Sequence, residues 1–158
     1  GALHATPAQA FMVPEMTLER YTEINAIRKQ LEAMAVGAAC QQMTPGKWQE
    51  LHDLAEKFHD AMDKGEAQRA LNANRAFRFR LYEYAQMPTL SALIEQLWVR
   101  IGPCFNYLHA SVHDIAKYPY RYDDLLAALE RGDAQAAQKS IDKLIDASTA
   151  LLLQQYFS

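Results

Sequence analysis

From Thr17 nearly to its end, the chain repeats apolar residues at a helical spacing, and this feature limits the possible folds most strongly. Apolar residues recur three or four positions apart, which places them along one side of an α-helix. No segment alternates apolar and polar residues as a half-buried strand does. The helical pattern breaks at residues that commonly end or begin a helix, namely Thr44-Pro45-Gly46, Gly65, Pro88, Tyr118-Pro119 and Gly132. We therefore predict an all-α fold, an antiparallel bundle of six to seven helices joined by short turns.

The pattern divides the chain into two parts. Residues 1–16 contain two prolines and no periodic spacing, so we expect them to form an extended lead-in. Residues 17–158 carry the helical pattern and are numerous enough to bury one sizeable core. We predict a single helical domain over 17–158.

Charge and composition exclude several classes of function. The formal net charge of −3 argues against a nucleic-acid-binding surface on this part of the protein. No apolar run approaches the roughly 18 residues that a membrane-spanning helix needs, and no secretory signal pattern is present, so we expect a cytoplasmic protein without membrane contact. Cys40 and Cys104 lie in helical patterns without CxxC spacing, which predicts buried free thiols.

Two polar residues interrupt the apolar stripe of the predicted third helix. Asn74 and Arg78 stand four positions apart, on the same side as Phe77 and Leu81. A buried amide or guanidinium needs a partner, because an unpaired buried charge costs several kcal/mol or more. Arg78 therefore reaches solvent, pairs with a carboxylate in the core, or lines a ligand pocket, and the spacing alone leaves these alternatives open.

Other arginines lie at the margins of predicted inward faces. On the first helix, Arg28 borders the apolar side, and Glu32 follows one turn later. The two form a surface ion pair, or Arg28 points inward to a cavity. Arg100 lies at the margin of the inward side of the predicted fourth helix. The apolar stripe of that helix includes Leu93, and we expect Gly102-Pro103 to kink the helix without ending it. The apolar side of the first helix is predicted to consist of Ile24, Ile27, Leu31, Met34, Ala35 and Ala38.

The histidines suggest no catalytic or metal site. His52 and His59 stand among charged residues, and we expect both at the surface. His109 and His113 have the i,i+4 spacing of a metal-binding pair, but they lie off the apolar stripe and are more typical of a solvated pair. Asp114 is adjacent to His113 and does not face it on a helix. No nucleophile with a supporting base is present, so we do not expect an enzyme.

Three segments together resemble a known family. The run IRKQLEAMAVGAA (27–39) resembles the R-x-x-L-E motif of the FadR C-terminal (FCD) domain found in GntR-type transcription regulators. The run NRAFRFRLYEYAQMPTL (74–90) is similar to that family's D-x-x-F-H-x-x-L-x-x-A motif followed by N-P-x-L. The run YDDLLAALERGDAQAAQKSIDKL (122–144) resembles its H-x-x-I-L-x-A-L-x-x-G-D-x-x-A-A closing segment. The segments occur in the family's order and spacing.

The resemblance implies a bundle of six or seven helices that binds a small effector and forms a homodimer. In such regulators an N-terminal winged helix-turn-helix contacts DNA, so residues 1–16 would be the linker from that module. Phe79 lies on the otherwise polar side of its helix and is a mild indication of a contact surface.

The family's metal ligands are replaced in this sequence. Many FCD domains hold a divalent metal with one Asp and three His, and the corresponding positions here are Asn74, Arg78, Tyr122 and Leu144. Arginine has no free lone pair and leucine has no donor atom, while the amide and the phenol are poor ligands. We therefore expect no metal and no other cofactor.

Two interpretations of the altered site remain. In the favoured one, Arg78 replaces the positive charge of the metal and binds a small carboxylate effector, oriented by Asn74 and Tyr122, with Arg28 and Arg100 as further donors. In the alternative, the pocket has become a packed core with an internal ion pair, and the chain is a structural and dimerisation module.

Overall fold

A computed structural model describes the backbone of residues 16–111 and 120–155 and the side chains of 16–104 and 120–154. Six helices and no strand occur within those ranges, which confirms the predicted all-α fold. The helices are α1 (Leu18–Gln41), α2 (Pro45–Asp63), α3 (Ala67–Glu83), α4 (Pro88–Ser111), α5 (Asp123–Glu130) and α6 (Ala134–Gln155).

Local capping interactions set the helix boundaries. The side chains of Thr17, Thr44 and Asp133 each accept a hydrogen bond from the backbone N–H three residues later, at 3.1, 3.2 and 3.0 Å. Gly65 and Gly132 follow the ends of α2 and α5 with φ of +68° and +72°, a conformation that strains other residues. These short-range signals explain why the helix order could be predicted from the sequence.

The helices pack as an antiparallel bundle in which α1 contacts three neighbours. It lies antiparallel to α6, since Asn25 Nδ2 donates to Thr149 Oγ1 (2.8 Å) and Gln138 Nε2 donates to the carbonyl of Ala33 (2.9 Å). Its remaining inward contacts are with α3 and α4, while α2 packs on α3 and α5 packs on α6 and α2. The space enclosed by α1, α3 and α4 contains the candidate site.

Several expectations about individual residues are confirmed and others are wrong. Cys40 and Cys104 are buried free thiols, as predicted. α4 continues through Pro103, also as predicted. Leu93 was placed on the inward stripe of α4, but it is 45% exposed.

The predicted inward face of α1 is only partly correct, since Ile24 and Ala35 are buried but other members are not. Ile27 and Met34 are 44% and 51% exposed, whereas Asn25, Arg28 and Glu32 are buried. The buried face is turned by roughly a quarter of a rotation from the most apolar side. The reason is that Asn25 and Glu32 find polar partners on other helices and Arg28 donates to both of them, which the periodicity of one helix does not reveal.

Within the ranges that the structure covers, no helix has the length and apolar character to span a bilayer.

Candidate functional site

The carboxylate of Glu32 is the centre of a buried group of charged and polar side chains. Its Oε2 atom accepts hydrogen bonds from Arg28 Nε (2.7 Å) and from Trp98 Nε1 (3.1 Å). Its Oε1 atom accepts hydrogen bonds from Arg78 and from the hydroxyl of Tyr82. Four donors therefore converge on one carboxylate. We call Arg28, Glu32, Arg78, Tyr82 and Trp98 the charge cluster.

Helical spacing on two different helices positions these groups. Arg28 and Glu32 lie one turn apart on α1, and Arg78 and Tyr82 lie one turn apart on α3. Arg78 Nε also donates to the Tyr82 hydroxyl (2.9 Å), which fixes the direction of that guanidinium. Trp98 reaches the cluster from α4, so three helices meet at Glu32.

The cluster carries a net positive charge inside the bundle. The exposed fractions of Arg28, Glu32 and Arg78 are 1%, 0% and 1%. Two guanidinium groups face one carboxylate, so these three residues sum to +1 while all are charged. Burial at this depth costs free energy unless every group is paired and hydrogen bonded.

Electrostatics keep Glu32 and Arg78 ionised. Burial alone would raise the pKa of Glu32, but Arg28 and Arg78 outweigh it and lower that pKa to about 2. Burial would likewise lower the pKa of the Arg78 guanidinium, but Glu32 raises it well above its usual value. On the facing helix α6, burial and the neighbouring carboxylates raise the pKa of Asp142, and Lys29 opposes this.

The ring of Trp98 packs against both arginines of the charge cluster. The guanidinium carbons of Arg28 and Arg78 lie 5.3 and 5.1 Å from its ring centroid. Phe79 packs edge-on against Trp98 with ring centroids 5.0 Å apart, and the guanidinium of Arg75 lies 4.6 Å from the Phe79 ring. Phe79 therefore has packing partners within this chain, although its apolar side chain on the polar side of the helix had been a mild indication of a contact surface.

A second pair of predicted residues meets beside the cluster. The Tyr122 hydroxyl donates to Asn74 Oδ1, and its ring stacks on Phe77 with centroids 3.9 Å apart. Burial raises the pKa of the Tyr122 phenol, and the nearby Arg78 opposes this. Asn74 and Tyr122 are 3% and 0% exposed.

His59 supports Tyr122 from α2. Its Nε2 atom accepts the backbone N–H of Tyr122 (3.0 Å), so this imidazole is neutral with its proton on Nδ1. His59 was predicted at the surface, but it is only 2% exposed. Burial, together with the charge of Arg121, lowers its pKa.

Four of the five predicted binding residues thus lie together. Arg28, Arg78, Asn74 and Tyr122 are buried in the space between α1, α3 and α4 or at its edge. Arg100 is exposed and does not join them, which corrects its predicted place at the margin of the inward side. Its side chain points away because Trp98, two residues earlier, already faces inward, and two helical positions are roughly 200° apart. The side chains of His109, His113 and Asp114 lie outside the described residues.

Comparison with known proteins agrees with this architecture. A family model described as the FCD domain matches residues 23–147. The chain belongs to the FCD family. The HTH-type transcriptional regulator McbR of Escherichia coli (strain K12) is 40% identical over 158 residues, which cover 99% of this chain and 72% of McbR. A solved structure of E. coli McbR/YncC matches with a TM-score of 0.87 and 40% identity, over 96% of this chain and 72% of that chain.

These matches confirm the assignment made from the motifs. The chain is an FCD effector-binding domain of the GntR type, and its helical fold is the one that McbR has.

The residues present do not fit the metal that many FCD domains hold. Of the four corresponding positions, Asn74 Oδ1 already accepts the Tyr122 hydroxyl, Arg78 is a paired cation, and Leu144 is a buried apolar side chain. Among the described residues, no group of three or more His, Cys, Asp or Glu side chains has a metal-binding arrangement. We assign no metal-dependent step to this FCD domain.

Sequence reasoning did not predict three residues of the charge cluster as part of the candidate site. Glu32 was considered only as the partner of Arg28, and neither Tyr82 nor Trp98 was singled out. One available signal was spacing: Trp98 stands four residues after Ile94 and three before Ile101, both of which are fully buried. Helical spacing does not show that these side chains meet Glu32, because the contacts join residues 50 and 66 positions apart.

Proposed function

We propose that this domain senses a small organic acid at the charge cluster, without a metal, and is not an enzyme. The observation that carries the proposal is the convergence of Arg28, Arg78, Tyr82 and Trp98 on a single carboxylate. Guanidinium groups bind carboxylates through charge-assisted hydrogen bonds, and they keep their charge at any physiological pH.

The net charge of the cluster supports an anionic ligand. Two buried arginines with one buried carboxylate leave one unit of positive charge, which a ligand carboxylate would neutralise. Asn74 and Tyr122 lie on the same side of the bundle and supply an amide and a phenol that orient the rest of the ligand. Arg78 links the two groups, since it pairs with Glu32 and affects the pKa of Tyr122.

The position of the cluster suggests how binding becomes a signal. Glu32 belongs to α1, Arg78 to α3 and Trp98 to α4, so a ligand that changes these contacts shifts three helices against one another. Such a shift alters a partner domain only if the ligand favours one arrangement over the other.

The larger regulator is part of the same proposal. McbR is an HTH-type transcriptional regulator, and the present chain matches 72% of its length. We infer that this domain forms a homodimer in the cytoplasm and acts on DNA through an N-terminal DNA-binding domain. The coding sequence upstream of Gly1 tests the inference, because a gene without a winged helix-turn-helix there contradicts it. Sedimentation of the purified domain tests the dimer.

A second candidate function has an observation in its favour. Glu32 already pairs with Arg28 and Arg78, as expected if the pocket has become a packed core. The domain would then be a structural and dimerisation module without a ligand.

Thermal denaturation with added acids distinguishes the two functions. The domain is heated with a panel of mono-, di- and sugar carboxylic acids, each with and without EDTA. A ligand at 100 times its dissociation constant stabilises by about 2.7 kcal/mol. We expect at least one acid to stabilise the domain equally well in EDTA. No response to any acid favours the structural module, and a response abolished by EDTA contradicts the metal-free site.

Two variants locate the response. Arg78→Lys keeps the charge but loses the fork of donors, so it should weaken the effect of the acid. Arg80→Ala removes an exposed arginine from the same helix and should leave the effect unchanged. Equal responses from Arg78→Lys and the unmodified domain would place the ligand elsewhere.

A further inference from the structure

We propose that Glu32 is a built-in ligand, whose carboxylate fills the anion site of Arg28, Arg78, Tyr82 and Trp98 until an effector carboxylate displaces it. The inference rests on the proposed function, and it adds a mechanism of regulation at that site. The effector class is then a free carboxylate able to compete for the donors that hold Glu32.

The hydrogen bonds support this interpretation. Each oxygen of Glu32 accepts two hydrogen bonds, one from an arginine and one from a neutral donor. A bound carboxylate ligand with both oxygens satisfied would have the same set of contacts. Three of the donors come from helices other than α1, so the site persists when the side chain of Glu32 leaves it.

The arrangement of charges favours the entry of a second carboxylate. Glu32 alone does not neutralise two guanidinium groups, so a second carboxylate is attracted before the first departs. Displacement also restores rotamer freedom to the side chain of Glu32, which offsets part of the freedom that the effector loses on binding. The observed binding free energy of the effector is its binding free energy for the empty site, made less favourable by the free energy needed to expel Glu32.

Two aromatic side chains and an arginine lie in succession on one side of the cluster. Trp98 is 4% exposed, Phe79 packs edge-on against it, and the guanidinium of Arg75 lies over the Phe79 ring. Phe79 is only partly buried. A rotation of these two aromatic side chains opens a route from solvent to the carboxylate of Glu32.

The consequence for signalling is mechanical. Glu32 is the direct link between α1 and the arginine of α3, which is 46 residues away. When an effector takes its place, α1 loses the link through Glu32 and holds the new carboxylate only through Arg28, while α3 and α4 keep their donors to it. The ligand thus loosens one helix against two others.

Removal of Glu32 gives a direct test with acetate as the probe. In Glu32→Ala the deleted atoms are Cγ and the carboxylate, which together are the heavy atoms of acetate. We expect acetate to stabilise Glu32→Ala saturably in urea or thermal denaturation at constant ionic strength. At 100 times its dissociation constant, acetate raises the folding equilibrium constant about 100-fold. Acetamide, which has the same shape without charge, should have no comparable effect.

Matched variants control for general salt effects. Glu23→Ala removes a carboxylate from the same helix whose side chain is 65% exposed, and acetate should not stabilise it beyond chloride. Glu32→Gln is the second test, because its amide fills the volume but leaves both arginines without a counter-ion. We expect acetate to stabilise it more than it stabilises the unmodified domain.

The outcomes decide the inference separately from the proposed function. The inference that Glu32 is a built-in ligand is overturned if acetate stabilises neither Glu32→Ala nor Glu32→Gln more than chloride does, or if both stay unfolded in acetate. If acids stabilise the unmodified domain but acetate fails in both variants, the sensing function stands and the built-in ligand is wrong. If acetate binds the variants but no acid affects the unmodified domain, the anion site stands and the sensing function fails.

Discussion

Arg78 and Glu32 lie 46 residues apart on different helices and form an ion pair whose two side chains are at most 1% exposed to solvent. Such a pair contributes little net stability compared with apolar residues of the same volume, but its disruption leaves an uncompensated buried charge. The pair therefore fixes the register of α3 against α1.

Loss of the Arg78 guanidinium should be strongly destabilising. We expect Arg78→Ala to lower the free energy of unfolding by about 3–5 kcal/mol, because Glu32 remains buried with half of its positive partners. Urea denaturation followed by circular dichroism measures the change. Arg80→Ala, on the exposed side of α3, should change it by less than about 1 kcal/mol. Similar losses in the two variants would contradict the buried pair.

The stability of the domain should fall in acid because of Glu32. The pKa of its carboxyl is about 2 in the folded state against the usual 4.5, so the folded state binds this proton less readily than the unfolded state. The resulting stabilisation is complete above about pH 4.5 and is lost as the pH falls towards 2. The groups that face Glu32 are Arg28, Arg78, Tyr82 and Asp142.

Urea midpoints between about pH 5 and pH 2.5 measure this loss. Glu32→Gln should have a shallower dependence, since it has no carboxyl to titrate. Glu66→Gln is the control, because Glu66 is an exposed carboxylate whose pKa is lowered by its hydrogen bond to Arg69. If Glu32→Gln follows the curve of the unmodified domain, Glu32 is not the titrating group.

His59 should add a second dependence at higher pH. Burial and Arg121 lower its pKa below the usual 6.5, so the neutral imidazole is favoured in the folded state. The stabilisation is present above about pH 6.5 and is lost as the pH falls through the folded pKa. Asp63, Asp123 and Glu56 also lie near this imidazole and oppose the shift.

The measurement is the thermal midpoint between about pH 7.5 and pH 5.5. His59→Gln should remove the decline in this range, because a glutamine amide does not titrate. His52→Gln alters a more exposed histidine of the same helix and serves as the matched control. A decline that persists in His59→Gln assigns the dependence to another group.

Removal of the Tyr122 hydroxyl should lower the free energy of unfolding. Tyr122→Phe leaves Asn74 Oδ1 buried without this donor, which typically costs about 1–3 kcal/mol. The phenyl ring keeps its stacking on Phe77, so the loss reports the hydrogen bond alone. Urea denaturation measures it, and Tyr120→Phe, whose hydroxyl accepts from Ser148, is the comparison. An unchanged Tyr122→Phe would show that Asn74 finds another donor.

The helix order was accessible to sequence reasoning because its signals are local. Thr17, Thr44 and Asp133 cap helices where their side chains reach the next turn, and glycines with positive φ follow two helices. Asn74 and Arg78 were also identified, since polar residues inside an apolar stripe of one helix are visible without tertiary information.

The rest of the site depends on contacts between helices. Asn25, Arg28 and Glu32 form a polar inward face on α1, so the apolar residues indicated only part of the buried side of that helix. His59 seemed solvated beside charged neighbours, although Ala55 and Met62 at helical spacing are both buried. The convergence of α1, α3 and α4 on one carboxylate has no local signal in the sequence.

The placement of Trp98 gives the domain an intrinsic optical reporter. The sequence contains two tryptophans, and the other, Trp48, donates its indole N–H to the carbonyl of Leu126 in the contact between α2 and α5. A Trp48→Phe background leaves one tryptophan, whose indole N–H bonds to Glu32 and whose ring borders two guanidinium groups. Because indole emission responds to the charges beside the ring, the exchange of one carboxylate for another can be followed by fluorescence in unlabelled protein, in real time.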